Sequence, residues 1–430
     1  MRYYLAIDIG ASSGRHIAGW LENGEIRMKE VYRFPNWIDH EDGHLVWDTE
    51  RIVREVKAGF DAAAQQLPGR IESFAIDTWG VDYVLMDGDR ALTPCFAGRD
   101  GRTQATTPLV HGRMSFSDLY RRTGISCMPY NSIYQLYDDK LAGRLEHATD
   151  FMLLPEYLMF RLCGVKCHEY TNATTTGLVN AFTGQYDPEI IRAMGFPEHI
   201  FGKVEKPGIV IGEYKGAKAV LCATHDTSSA IEGIPLAGRQ PYISSGTWSI
   251  LGVKSEIPLT DPESERTNWS NEGGADCVCY QKTLMGMWMV NRLQEELCPE
   301  KSFPEIVEEA RASAFDGIVD PNARDFLAPE SMKAAFDGAL REAPRTVGDY
   351  FRCAYRSLAF SYRDVFRELE ANTGRTYEQL CIVGGGAKNT FLNELTQEAV
   401  GRKVLALPIE ATSIGNLKTQ MRACGEEDIR

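Results

Sequence analysis

No stretch of this 430-residue chain approaches a membrane span. The apolar opening is interrupted early by Asp8 with no basic region before it, and FMLLPEYLMF is broken by Pro155 and Glu156, so neither a spanning segment nor an export signal is expected and the chain reads as cytoplasmic. Basic charge is scarce: Lys+Arg number 46 against 60 Asp+Glu, a formal net charge of −14. No basic stripe is available for a nucleic-acid backbone, although a nucleotide held by backbone dipoles and a metal ion stays open. Neither G-x-x-x-x-G-K-[ST] nor a G-x-G-x-x-G after the first strand occurs, which removes the main support for a P-loop or a Rossmann site. Cysteine is present, but Cys163 with Cys167 and Cys277 with Cys279 are close pairs without a repeating C-x-x-C or a histidine at finger spacing. The 11 cysteines therefore read as free thiols in a reducing compartment rather than as zinc ligands. Low-complexity segments are also missing.

What is present is a pattern of apolar strands ending in small-residue turns. YYLAIDIGASSGR at 3–15 delivers Asp8 beside Gly10, Ser12, Ser13 and Gly14, a turn that lets phosphate oxygens approach the main chain. YISSGTWSILGV at 242–253 repeats the arrangement half a chain later, which suggests two related domains facing each other across a cleft. IVGGGAKN at 382–389 follows a short strand and precedes a helix, so a nucleotide can lie against Gly384–Gly386. The length itself favours two domains, and the Pro- and Gly-bearing IPLAGRQP at 234–241 is the candidate crossover.

Residues 3–34 read as three strands, and 48–66 as a helix capped by Asp48 or Thr49 with Ile52, Val53, Val56 and Phe60 on one face. IESFAIDTWG and VDYVLMD read as strands and 100–200 as mostly helical. VLCATHDTSSAIEG reads as a buried strand entering a helix, and long helices are expected near 281–297 and 347–373.

Asp226 stands where that strand becomes a helix, so its carboxylate can take a proton from a substrate hydroxyl or serve as a plain N-cap. His225 beside it fits a packed or substrate-orienting histidine. Asp8 and Asp77 both end apolar strands and can hold Mg²⁺ through water. Trp79, Gly80 and Asp82 suit a sugar, with an aromatic wall, a close backbone approach and a carboxylate that accepts hydroxyl hydrogen bonds; core packing and a turn explain them equally well. Arg99 and Arg102 fit solvation as well as function.

The set AIDIGASSGR, WD at 47–48, IDTWGVD, RDGRT, ATHDTSSA, SSGTWS, NEGG at 271–274, IVGGGAKN and EATSIGN at 410–416 resembles the FGGY carbohydrate kinases, in order over nearly the whole chain. TWGVD and ASSGR are most similar to the branch acting on L-rhamnulose. The resemblance implies an α/β fold of two actin-like (ribonuclease H-like) ATPase domains around a central cleft, with a sugar-binding domain over 1–236 and a nucleotide-binding domain over 237–430. It implies transfer of the γ-phosphoryl of ATP to the O1 hydroxyl of L-rhamnulose, with Mg²⁺ held near Asp8 through water. Ala11, Ser12, Ser13, Gly14, Arg15 and Thr247 match the phosphate-contacting turns, and Gly385 the adenosine-side glycine. Gly80, His225, Asp226 and Thr227 match the sugar contacts, with Asp226 as the base. Thr283 stands where that branch has a sugar-contacting Asn, and Asn291 where it has an ATP-contacting Gln. The chain stops at Arg430, soon after EATSIGN, where the family continues through a longer helix. The implied partners are the ketose and ATP, without nucleic acid or membrane, for a monomer or homodimer. Rival readings are a kinase for another deoxy-ketose such as L-fuculose, and a non-catalytic nucleotide-binding regulator on the same fold.

Overall fold

The computed structural model describes residues 1–430 except 237, 238, 408, 428 and 430, so part of IPLAGRQP, with the 236/237 boundary beside it, lies outside the described residues. Two compact units are built from separated segments: Met1–Pro235 with Ser255–Tyr280 and Glu410–Arg430, and Leu236–Lys254 with Gln281–Ile409. The sequence reading divides the chain once, whereas segments 255–280 and 410–430 return to the first unit.

The first unit is organised on a six-stranded sheet in the order Val210–Tyr214, Ala217–Val220, Arg70–Thr78, Arg2–Ile9, Ser13–Glu22 and Glu25–Pro35. Strand Arg2–Ile9 pairs antiparallel with Ser13–Glu22 and parallel with Arg70–Thr78. Successive side chains of a strand point to opposite faces, and here both faces are covered. Leu5, Ile7 and Ile9 pack in one core with Ile52, Val53, Val56 and Phe60, the expected face of helix Thr49–Gln66, which Asp48 caps. Tyr4 and Ala6 point the other way, into a cluster with Leu417 and Met421 of helix Ala411–Ala423. Burial on both faces explains why this strand reads as an almost continuous apolar run.

The second unit repeats the pairing scheme. Tyr242–Ser245 pairs antiparallel with Trp248–Ser255 and parallel with Gln379–Val383, and Lys403–Leu407 extends the sheet. Helix Val347–Thr373 matches its expected bounds. The helix expected near 281–297 does not: Val278–Met285 is a strand, and the helix runs only from Trp288 to Leu297. Gly286 separates them, and a Cβ there would lie 2.7 Å from Gly246 O, so the backbone must pass tightly against the hairpin before the helix begins. No helix of the described residues is long and apolar enough to cross a membrane.

Candidate active site

Three aspartates come to one end of the first sheet. Asp8 and Asp77 are register partners on adjacent parallel strands, and Thr78 bridges in parallel to His225, which brings in helix Asp226–Gly233. Asp8 is paired with Arg15 at 2.6 Å, and Arg15 also reaches Glu410 at 2.6 Å. Asp77 is fully buried; its Oδ2 accepts from Asn416 Nδ2 at 2.5 Å while Oδ1 has no partner among the described residues. Burial first, then the charge of Asp8, pushes the Asp77 pKa well above the usual carboxylate range. The same two causes push Asp226 up to about 7, opposed by the backbone and hydroxyl of Thr227. A carboxyl raised to that range can exchange a proton near neutral pH.

This acidic edge fits a hydrated divalent cation. Asp77 Oδ1 is an orphaned buried acceptor, and Arg15 is shared between Asp8 and Glu410. Among the described residues no three His, Cys, Asp or Glu side chains are grouped to bind an ion directly.

The surroundings lock the Asp226 segment. Glu169, fully buried, accepts from Thr171 N and Oγ1, Asn172 N, and Thr224 N and Oγ1 at 2.6–3.2 Å. Thr224 is thereby fixed two residues before Asp226. Helix Asp226–Gly233 starts with His225 as an N-cap that lends no side-chain bond, so Asp226 is the first helical residue and its carboxylate is free of the capping role. Helix Ala411–Ala423 crosses it at glycines: a Cβ on Gly415 would overlap Ser229 O, and one on Gly233 would overlap Ala411 O. From that crossing Asn416 reaches Asp77, and Gln420 Nε2 donates to Asn416 Oδ1 at 2.6 Å.

The TWGVD turn differs from its expected role at one residue. Asp82, expected to accept hydroxyls of a sugar, is buried, and its Oδ2 accepts from Trp47 Nε1 at 2.7 Å and Trp79 Nε1 at 2.8 Å. Its Oδ1 accepts from Gln135 Nε2 at 3.4 Å, and the two indole ring centroids lie 4.2 Å apart. Burial pushes its pKa up to about 6 against those bonds. Trp79 is half-buried and Gly80 is closely approached by Thr175, whose Oγ1 would lie 2.9 Å from a Cβ. Val81 takes φ +70°, a costly conformation for a β-branched residue. It is held there by Thr175 Oγ1, which accepts from Val81 N at 3.1 Å, and by Ser132 Oγ, which donates to Val81 O at 2.5 Å.

His225 is buried, with Nδ1 3.3 Å from Glu272 Oε2 and Nε2 3.7 Å from Asp226 Oδ1. Desolvation lowers its pKa, partly offset by Glu272. In the 11–15 turn, Ala11 and Ser12 are exposed, whereas Gly14 is buried where a Cβ would strike the Phe34 ring. Arg102, by contrast, is structural: its guanidinium is buried, 2.7 Å from Asp139 Oδ1.

In the second unit, the hairpin tip receives the start of helix Trp288–Leu297, with Met287 N donating to Gly246 O at 2.8 Å and Trp288 N to Thr247 O at 3.0 Å. Thr247 is exposed. Gly384, at φ +84°, lies against Ser245 O, and a Cβ on Gly386 would overlap Ser245 Oγ; Gly385 between them faces open space. Thr283 lies half-buried on the strand before that helix, and Asn291 half-buried in its first turn. Of the residues that matter here, Glu169, Glu272, Trp47 and Asn416 were not singled out from the sequence, although WD, NEGG and EATSIGN each contain one of the last three.

The model of the FGGY family of carbohydrate kinases, N-terminal domain, matches residues 3–229, and that of the C-terminal domain matches 241–424. The rhamnulokinase of Oceanobacillus iheyensis is 38% identical over 441 residues, covering 99% of this chain and 94% of the relative. That of Bacillus subtilis is 37% identical, covering 99% and 92%. Among solved structures, the xylulose kinase of Lactobacillus acidophilus superposes with a TM-score of 0.84 at 18% identity, covering 99% of this chain and 90% of that one. The gluconate kinase of the same organism gives 0.83 at 19%, covering 99% and 89%. At that identity the likeness is one of fold, and it is the fold of two actin-like ATPase domains.

Proposed function

The chain belongs to the FGGY family of carbohydrate kinases, and from that premise we propose that it transfers the γ-phosphoryl of ATP to the O1 hydroxyl of L-rhamnulose. The relatives named rhamnulokinase, similar over 99% of the chain, support the sugar. The observation that carries the chemistry is Asp226, a carboxylate at a helix start with its pKa pushed up to about 7.

In this reading the Asp226 carboxylate takes the O1 proton as the sugar oxygen attacks the γ-phosphorus and ADP leaves. Trp79, Gly80, His225 and Thr227 orient the ketose, with Asp82 acting behind them by holding the tryptophans. Phosphoryl transfer asks a protein mainly for position and charge stabilisation. Ala11, Ser12, Ser13, Gly14 and Arg15 are assigned to the phosphates, as is Thr247 of the second unit. Gly385 and Asn291 are assigned to the rest of ATP, and Thr283 to the sugar, by family likeness. Asp8 would hold Mg²⁺ through water, and the ion would offset phosphate charge. Apart from the phosphate turn at 11–15 and Thr283, the sugar is assigned to 1–236 and the nucleotide to 237–430.

The test is kcat/KM for L-rhamnulose, L-fuculose, L-ribulose and D-xylulose in the parent and in Thr283→Asn. L-rhamnulose should be the best acceptor, and Thr283→Asn should improve its use more than that of the others. A preference for another ketose by more than about tenfold, roughly 1.4 kcal/mol, overturns the choice of sugar and leaves the kinase.

A further inference from the structure

The contact that the proposed chemistry leaves unused is the one between His225 and Glu272. His225 Nδ1 is buried without a strict hydrogen-bond partner among the described residues, and Glu272 Oε2 lies 3.3 Å from it. Glu272 sits on strand Ser270–Gly273, which is joined to the helix of the base by Ser228 Oγ donating to Gly273 O at 2.7 Å. A second bond, from Gly273 N to Thr174 Oγ1 at 2.7 Å, ties the strand to helix Tyr170–Thr174, whose N-cap Glu169 fixes Thr224. Glycine is required at 273 because a Cβ would lie 2.6 Å from the Tyr170 ring. The backbone next to Glu272 is thus anchored on both sides, and Ser270 Oγ donates to Glu272 Oε1 at 3.2 Å, leaving Oε2 toward the imidazole.

We propose that Glu272 is a positioning residue that fixes His225 as the Nδ1–H tautomer, so that Nε2 presents a lone pair for a hydroxyl of the sugar. A carboxylate only accepts, and both ring nitrogens have one nearby, Nδ1 with Glu272 at 3.3 Å and Nε2 with Asp226 at 3.7 Å; the proton is assigned to the closer pair, which leaves Nε2 of a neutral imidazole as an acceptor. Nε2 lies 3.7 Å from Asp226 Oδ1, and the two form a pair of acceptors that suits two hydroxyl donors of one polyol. The charged and titratable groups around the array are Asp226 beside Nε2, Asp8 facing Asp226, and Tyr130 facing Glu272. Burial lowers the His225 pKa and keeps the ring neutral. The sequence motif NEGG gains a role by this route, one that rests on the proposed sugar-kinase reading.

Glu272→Ala removes the acceptor, and Glu272→Gln keeps one amide oxygen that can accept from Nδ1–H. The sugar KM should rise about tenfold in Glu272→Ala, as for one lost buried hydrogen bond, and be largely restored in Glu272→Gln, with the ATP KM unchanged in both. ¹⁵N spectra of histidine-labelled protein, with the His225 signals identified by their loss in His225→Asn, should show protonated Nδ1 and bare Nε2 in the parent. A parent protonated at Nε2, or a Glu272→Ala variant with an unchanged sugar KM, overturns the proposal. Should Glu272→Ala fail to fold, the parent spectrum and Glu272→Gln decide it. If the parent phosphorylates no sugar, the functional reading has failed, and the spectrum still decides the tautomer.

Discussion

Asp77 is the register partner of Asp8 on the neighbouring parallel strand, fully buried and with one carboxylate oxygen unpartnered among the described residues. Two carboxylates side by side at the end of a sheet are unfavourable unless a cation or a proton joins them. Asp77→Asn keeps an acceptor for Asn416 and removes the buried acid. The free protein should therefore unfold at the same or a higher temperature, while the Mg²⁺ concentration giving half-maximal activity rises several-fold. Thermal melts and a metal titration read the two effects, and a large loss of stability with unaltered metal dependence would contradict them.

Asp226→Asn removes the proposed base but leaves the shape of the site. Turnover should fall by about 10²- to 10⁴-fold while sugar binding, measured by calorimetry, survives. In the parent, kcat should rise with pH through about 7, because burial and Asp8 raise the Asp226 pKa and only the ionised carboxylate accepts a proton. That acid limb should be missing from the residual activity of Asp226→Asn. Retention of more than about a third of turnover would remove Asp226 from the role.

Asp82 should matter for stability as well as for the sugar. Asp82→Ala leaves the indole N–H groups of Trp47 and Trp79 unpaired, at about 1–3 kcal/mol each where buried. Asp82→Asn keeps an acceptor oxygen and should lose less. Urea unfolding should rank the parent above Asp82→Asn above Asp82→Ala, with sugar KM rising in the same order. Equal stability in all three would contradict the geometry.

His16 predicts an acid-sensitive core. It is fully buried, Nε2–H donates to Val56 O at 3.1 Å, and burial lowers its pKa from 6.5 to about 4. The unfolded chain binds the proton below pH 6.5 and the folded one only below about 4, so stability is lost as pH falls across that window. At roughly 1.4 kcal/mol per pH unit, the loss from this residue is about 3 kcal/mol. His16→Gln, which does not titrate, should show a correspondingly flatter fall in urea-unfolding free energy between those pH values. An identical slope in both proteins would show that His16 is not the cause.

Much of the site was legible because its residues sit where strands end. The AID runs announced Asp8 and Asp77 through period and polarity, and the Asp226 helix announced itself through the shift from apolar strand to Thr and Ser. What stayed hidden depends on contacts distant in sequence. Asn416 reaches Asp77 across 339 positions, and Glu272 meets His225 from a strand whose pairing no local pattern reveals. Asp82 misled because a carboxylate after Trp and Gly looks the same whether it faces a sugar or two indoles; Trp47, far upstream, decides it. Val81 at positive φ was invisible, since a β-branched residue is the last expected there. Residues 281–285 of the strand Val278–Met285 were read as helix because the apolar run continues into Trp288–Leu297, and the break at Gly286 is imposed by the hairpin backbone.

The most direct measurement is the identity of the product. The protein is incubated with ATP, Mg²⁺ and L-rhamnulose, and ³¹P–¹H correlation locates the new ester. A phosphorus coupled to the C1 protons of the sugar, formed in step with ADP by the parent and not detectably by Asp226→Asn over the same interval, is the result expected. Phosphate on another carbon, or ADP formed with inorganic phosphate and no sugar ester, would contradict the account.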